Sequence, residues 1–235
     1  MIPWLGRELA FPPLQSALVE PNGLLAVGGD LSPERLLLAY GQGIFPWYSA
    51  GEPILWWSPD PRMVLVPSEL HIPRSLAKTL RHKSYEIRFD TAFRRVMQCC
   101  ATIQRADQEG TWVSPAIIDA YCQLHDLGWA HSAECWMDGE LAGGLYGVAI
   151  GRMFYGESMF ARRPDASKIA FAHLVRWLQT EGFGLIDCQM HTAHLSRFGA
   201  REINRDVFCN ELARLNQLPG IAGPWQYPTT RKWEE

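Results

Sequence analysis

Apolar residues crowd together through the middle of the chain. Leu141 to Ile150 is almost wholly apolar, Gly151-Arg152 makes a tight turn, and Met153 to Ser158 returns. A long run at helical spacing follows, carrying Ile169, Phe171, Leu174, Val175, Trp177 and Leu178 and closed by Gly182. Leu185 to Met190 reads as a further strand. Upstream, His131 to Met137 is a strand, joined to the next by Asp138-Gly139, a strong hairpin signal. The pattern from 131 to 190 predicts three consecutive strands, a helix, and one more strand.

The flanks fill in the rest. Ser32-Pro33 opens a helix through Tyr40, with Ser as cap and Pro at the first helical position, and Gly41 or Gly43 ends it. Ile44 to Tyr48 reads as an aromatic loop, and the stiff run Pro53 to Pro61 as a boundary. A small N-terminal α/β domain over 1–61 and a larger domain over 62–235 are expected. In the second, Arg62 to Val66 is a short strand, and Ile72 to Lys83 a helix. Tyr85, Ile87 and Phe89 alternate as a half-buried strand. Phe93, Val96, Met97 and Cys100 mark a helix, Thr102 to Gly110 a polar loop, and Ser114-Pro115 the start of another helix that stops at Gly128. His191 to Phe198 is a short helix and Arg205 to Leu215 the last clear one. The class is α+β, a mostly antiparallel sheet flanked by helices.

Composition narrows the function. The 235 residues carry a net charge of −3, which disfavours a protein that coats a long duplex. It leaves room for one that handles a single end of a nucleic acid. No apolar run is long enough to span a bilayer, and the start lacks the order of a signal peptide. The six cysteines form no Cys-x-x-Cys pair, so reduced thiols in the cytoplasm are expected.

Glu157, Asp187 and Gln189 are polar groups on strands that otherwise read as core, and each needs a partner. Asp187 and Gln189, two apart on a strand, face one side. By themselves they read first as a structural pair tying the strand to the helix at His191. A lone Glu157 reads as a solvated charge at a strand end. Cys188 faces the opposite side and reads as core. His191 and His194, at i and i+3 with no third ligand of matching spacing, read as surface histidines. A meander, a helix and a further strand make the core order of acetyltransferase-like (GNAT) folds. Those enzymes hold a coenzyme A pyrophosphate on a Gly-rich loop before the helix. Here the loop Phe160 to Ala166 has no glycine, so the fold is expected without the cofactor.

A set of collinear motifs is more specific. Pro21-Asn22-Gly23-Leu24-Leu25, Gly28-Gly29-Asp30-Leu31, Gly43-Ile44-Phe45-Pro46-Trp47 and Trp56-Trp57-Ser58-Pro59-Asp60-Pro61-Arg62 come first. Glu109-Gly110-Thr111-Trp112, Gly156-Glu157-Ser158-Met159-Phe160, Ala166-Ser167-Lys168 and Leu185-Ile186-Asp187-Cys188-Gln189 follow. Together, over roughly 11 to 215, the chain resembles the leucyl/phenylalanyl-tRNA–protein transferases. The resemblance implies a bacterial cytoplasmic enzyme with a small N-terminal domain and a GNAT-like domain, expected as a monomer. It implies transfer of leucine or phenylalanine, also methionine, from Leu-tRNA or Phe-tRNA to the α-amine of proteins beginning with Arg or Lys. The product is an N-degron. No metal or organic cofactor is required, since the ester is already activated.

The resemblance also implies site residues. Asp187 and Gln189 would be the catalytic pair, Asp187 orienting Gln189 or the acceptor's ammonium and the Gln189 carbonyl oxygen accepting from the attacking amine. Glu157 would lie near the aminoacyl group and bind the substrate's α-ammonium. Leu145 and Phe154 would line an apolar pocket for the transferred side chain, though plain core packing fits them as well. Trp47, Trp112, Tyr121 and Tyr40 are candidates for stacking the terminal adenine; Tyr121, on a helix, fits the core equally. Arg74, Lys78, Arg81 and Lys83 would meet acceptor-stem phosphates or form an ordinary solvated helix face. Two other classes compete: a GNAT N-acetyltransferase using acetyl-CoA, disfavoured by the missing glycines, and a non-enzymatic binding module for tRNA ends or degradation signals. A degenerate enzyme would be expected to lose Asp187, Gln189 or Glu157, and all three are present.

Overall fold

A computed structural model of the chain describes residues 2–102, 113–221, 223–228 and 233. The first strands are β1 (Trp4–Leu5) and β2 (Leu24–Gly28), followed by helix α1 (Pro33–Gly41). The Ser32 hydroxyl caps α1 by accepting from the Arg35 amide. Strands β3 (Phe45–Pro46) and β4 (Leu55–Trp57) come next. β1 pairs parallel with β2, and β4 runs antiparallel between β2 and β3. The aromatic loop and the stiff boundary are thus strands in part. Trp56 explains the second: its indole N–H donates to the Gly28 carbonyl at 2.9 Å, tying β4 to β2.

Strand β5 (Arg62–Leu65), helix α2 (Arg74–His82), strand β6 (Glu86–Phe89) and helices α3 (Phe93–Thr102) and α4 (Pro115–Asp126) follow. Then come β7 (Ala130–Met137), β8 (Glu140–Ile150), β9 (Met153–Ala161), helix α5 (Ala166–Thr180) and β10 (Leu185–Gln189). Helix α6 (Ala193–Ser196), strand β11 (Arg201–Ile203) and helix α7 (Arg205–Asn216) complete the elements. The larger sheet has the order β11-β5-β10-β9-β8-β7-β6. All its neighbours are antiparallel except β9 and β10. Meander, helix, then a parallel strand is the acetyltransferase-like order expected. β1 and β11 are too short to show an alternation in sequence.

The larger sheet has two packed faces. On one, Ile169, Leu174 and Leu178 of α5 and Leu76 and Leu80 of α2 cover Leu145, Phe154 and Ile186. On the other, α1, α3, α4 and α7 bring Tyr40, Val96, Tyr121 and Phe208 against Tyr146, Tyr155 and Leu185. Leu24, Leu25 and Trp56 of the small sheet join that second core. Packing is therefore continuous across residue 61.

Two irregularities place the site. Between β8 and β9 the register steps from Tyr146–Ser158 to Gly147–Gly156, which leaves Glu157 as an extra residue on β9. Such a bulge flips the side-chain phase and re-aims one residue. Tyr155 and Phe160, five apart, accordingly face the same core. Between β5 and β10 the register steps from Val64–Asp187 to Met63–Gln189, with Cys188 extra. Beyond Asp187–Tyr155, no ladder joins β10 to β9. The two strands part there, and the gap between them opens into a cavity.

Candidate active site

The cavity holds about 390 Å³. Leu145, Phe154, Met159, Phe171, Ile186 and Leu195 make it apolar on the α5 side. Its polar groups gather where the strands part: Glu157 from β9, Asp187 and Gln189 from the end of β10. Phe45 and Trp47 close it from the small sheet. Leu145 and Phe154 are both core residues and cavity wall.

Glu157 is no solvated charge at a strand end. It sits within β9, and its carboxylate is surrounded by donors. The Tyr40 hydroxyl donates to Oε1 at 2.7 Å, the Gln189 side-chain amide to Oε1 at 2.8 Å, and the Tyr121 hydroxyl reaches Oε2 at 3.3 Å. The two phenols are also hydrogen-bonded to each other. Burial pushes the Glu157 carboxyl up to about 8, and the nearby Asp187 charge adds to this. The two tyrosines and Arg62 act the other way.

Asp187 is fully buried. Arg62 grips it with a two-pronged ion pair, Nε to Oδ1 at 2.8 Å and NH2 to Oδ2 at 2.6 Å. Arg62 donates a third bond to the Gly43 carbonyl at 3.0 Å. Its guanidinium lies over the rings of Phe45 and Phe208, 4.8 and 4.7 Å from their centroids. Gly43 has φ +77°, and a Cβ there would meet Phe208, so only glycine lets this carbonyl reach the arginine. Asp187 also meets Gln189 through the backbone: the Gln189 N–H donates to Asp187 Oδ1 at 2.9 Å. Gln189 itself has φ +62°, a left-handed conformation that costs a non-glycine residue roughly 1–3 kcal/mol.

The remaining candidates divide. Tyr40 and Tyr121 are buried to 1% and 0% exposure, so neither offers a face to a base. Helical packing turns their hydroxyls, not their rings, toward the site. Trp47 is half-buried on the cavity wall, edge-on to Trp57 at 5.5 Å between centroids. Trp112 lies outside the described residues. Arg74, Lys78, Arg81 and Lys83 are exposed on α2 and its end, away from the cavity wall. Arg81 and Lys83 border a second cavity of about 370 Å³, beside Tyr85, His173 and Trp233. Lys83 Nζ also donates to the Pro164 carbonyl at 2.9 Å. His194 is no surface histidine: it lines the cavity, edge-on to Phe198, and burial lowers its pKa. Cys188 also lines the cavity, and burial pushes its thiol far up, which leaves it inert as a nucleophile.

The loop before α5 is tied to the start of β8. The amides of Arg162 and Arg163 both donate to the Ala142 carbonyl, at 2.8 and 3.2 Å. A Cβ on Gly143 would meet Ala166 and the Ser167 amide, so β8 already fills the space before α5.

An acetyltransferase-like core with a carboxyl–amide pair at the mouth of a cavity fits an acyl-transferring enzyme. The chain belongs to the leucyl/phenylalanyl-tRNA–protein transferase family. The family model described as leucyl/phenylalanyl-tRNA protein transferase matches residues 64–213, and the model of its N-terminal domain matches 29–60. Relatives described by the same name are similar over nearly their whole length. The one from Chromobacterium violaceum is 63% identical over 97% of this chain and 97% of its own. That from Nitrosomonas europaea is 62% identical over 98% and 97%, and that from an Azoarcus species 61% identical over 100% and 99%. Among solved structures, a functionally unknown conserved protein from Staphylococcus epidermidis aligns with a TM-score of 0.43 and 8% identity, over 77% of this chain and 68% of its own.

Arg62 is the functional residue that sequence reasoning missed. It stands at a strand start after Pro61, where an arginine reads as an end charge. The signal that could have found it is the need of Asp187 for a buried cation.

Proposed function

We propose that this enzyme moves leucine, phenylalanine or methionine from aminoacyl-tRNA to the α-amine of proteins beginning with Arg or Lys, marking them for degradation. The observation that carries this reading is the cavity with Glu157 and Gln189 on its wall beside the apolar side chains of Leu145, Phe154, Met159, Phe171 and Ile186. The family membership supplies the donor class. The six free cysteines suit a reducing compartment, the cytoplasm. No helix among the described residues is long and apolar enough to cross a membrane.

The reaction is aminolysis of an ester. The acceptor's amine attacks the aminoacyl carbonyl, a C–N bond forms, and the C–O bond to the terminal ribose breaks. The amine must lose a proton and the departing ribose oxygen must gain one. Gln189 spends its amide N–H on Glu157, which leaves its carbonyl oxygen to accept from the attacking amine. Glu157 takes the amine's proton and returns it to the leaving oxygen. A carboxyl raised to about 8 is matched to an α-amine of ordinary pKa near ~8. The hydrogen bond from Gln189 sets this carboxyl beside the attacking amine, and the proton role is the one we assign. Asp187 and Arg62 hold Gln189 in place. Trp47 and Trp112 stack the terminal adenine, and the exposed cations of α2 face acceptor-stem phosphates. Residues 1–61 act as a small domain that supplies the Phe45–Trp47 wall.

The test is transfer of labelled phenylalanine or leucine from its tRNA to a peptide starting with Arg. Transfer that needs the free amine, and fails with an acetyl-blocked peptide, is expected. No transfer by the folded protein from either tRNA would overturn the reading.

A further inference from the structure

The two tyrosines around Glu157 do something other than receive substrate. Tyr40 comes from α1 and Tyr121 from α4, 81 residues apart, yet their hydroxyls meet beside one carboxylate. Both rings are packed in the core, Tyr40 against Tyr155 at 5.1 Å and Tyr121 edge-on to Tyr146 at 5.8 Å. A buried phenol needs a partner, and each of these has Glu157. We infer that Tyr40 and Tyr121 are positioning residues for the proton transfer, their buried hydroxyls holding the Glu157 carboxylate against Gln189 and governing how readily it takes a proton. The inference rests on the reading of Glu157 as proton acceptor and names the residues that tune it.

The hydrogen count supports a directed chain. Each phenol has one proton. Burial and the Glu157 charge raise both phenols well above their ordinary range, so both stay protonated. Tyr40 gives its proton to Glu157 Oε1, and Tyr121 gives its own to the Tyr40 oxygen or to Oε2. Donors to the ionised carboxylate favour its charged form. The other titratable and charged groups facing this cluster are Arg62 on β5, Asp187 and Cys188 on β10, Tyr155 on β9, Tyr146 on β8, and Tyr48 after β3. Arg62 opposes Asp187, and beside the Gln189 amide the tyrosines are the neutral donors that bring the carboxyl down.

The experiment follows the Glu157 carboxyl directly, by ¹³C NMR of glutamate-labelled protein without substrate. Its resonance is identified by loss in Glu157→Gln. In the wild type its midpoint is expected near 8. Tyr40→Phe is expected to move it upward by roughly one pH unit, and Tyr121→Phe, the longer contact, by less. The acid limb of the transfer rate moves with it, while KM for Phe-tRNA stays within a few-fold. A wild-type midpoint in the ordinary carboxylate range would overturn the proton-acceptor reading itself. A raised wild-type midpoint that stays put in both Phe variants would overturn this inference alone, leaving the tyrosines as packing.

Discussion

The Gln189 side-chain amide donates to Glu157 Oε1 across the gap where β9 and β10 part, at 2.8 Å. Each residue stands at a bulge, and Gln189 has a left-handed backbone as well. The fold accepts irregular backbone at this point, and strain held in this way gathers at functional sites.

Gln189→Gly and Gln189→Ala separate strain from function. Both remove the amide and are expected to slow transfer by about 100-fold or more, as a lost orienting contact does. They should differ in stability. At φ +62° glycine is at ease and alanine is not, so the Gly variant is expected to be the more stable by about 1 kcal/mol. Urea unfolding of the two variants checks this; equal stabilities would mean that the backbone relaxes when the side chain goes.

The Arg62–Asp187 pair is buried on both sides. Asp187→Asn leaves a buried guanidinium without its counter-charge. Loss of one partner of such a pair costs about 3–5 kcal/mol. A drop of that size in unfolding free energy is expected; because Asn Oδ1 still accepts from the Gln189 N–H, transfer should fall less than in Gln189→Ala. Full stability in Asp187→Asn would show that Gly43 and the flanking rings suffice to hold Arg62.

The sequence made part of this site legible and hid part of it. Glu157, Asp187 and Gln189 stood out because charged and amide side chains interrupted apolar strands. The meander, α5 and β10 were legible from spacing alone. Arg62 was not, because its partner lies 125 residues away and nothing local announces a fork. The tyrosines were read as faces for a base because an aromatic ring is what the sequence displays. Their hydroxyls gain meaning only when α1 and α4 close over β9. The bulge at Glu157 left a trace, the phase break between Tyr155 and Phe160, which an alternation count through 153–161 could have caught.

If the cavity takes the transferred side chain, its size sets donor preference. Met159 is half-buried on the wall, so a larger side chain there can enter the cavity without overpacking the core. Met159→Phe is expected to cut transfer of phenylalanine more than that of leucine, shifting their ratio by about 10-fold or more. Competition between Leu-tRNA and Phe-tRNA measures it. An unchanged ratio would place the transferred side chain elsewhere.

Stability should carry the mark of Glu157 as well. Burial raises its carboxyl from 4.5 to about 8 in the folded chain. A group with a raised folded value contributes stability that is full below its unfolded value and is lost as pH rises through the folded one. Glu157→Gln has no such loss. Its Tm relative to wild type is therefore expected to climb from 4.5 to about 8 and to level off above. A difference that is flat with pH would mean the carboxyl titrates normally.

The most direct test of Glu157 as the proton acceptor is the single-turnover rate of phenylalanine transfer from Phe-tRNA to an Arg-starting peptide, in wild type and Glu157→Gln across pH. Glu157→Gln keeps the size and one oxygen to accept from Tyr40 and Gln189, and removes the ability to take a proton. The expected result is a rate about 10²–10⁴-fold lower with donor affinity changed by no more than a few-fold. A variant that transfers at the wild-type rate would contradict the account and leave Glu157 as a structural partner of Gln189.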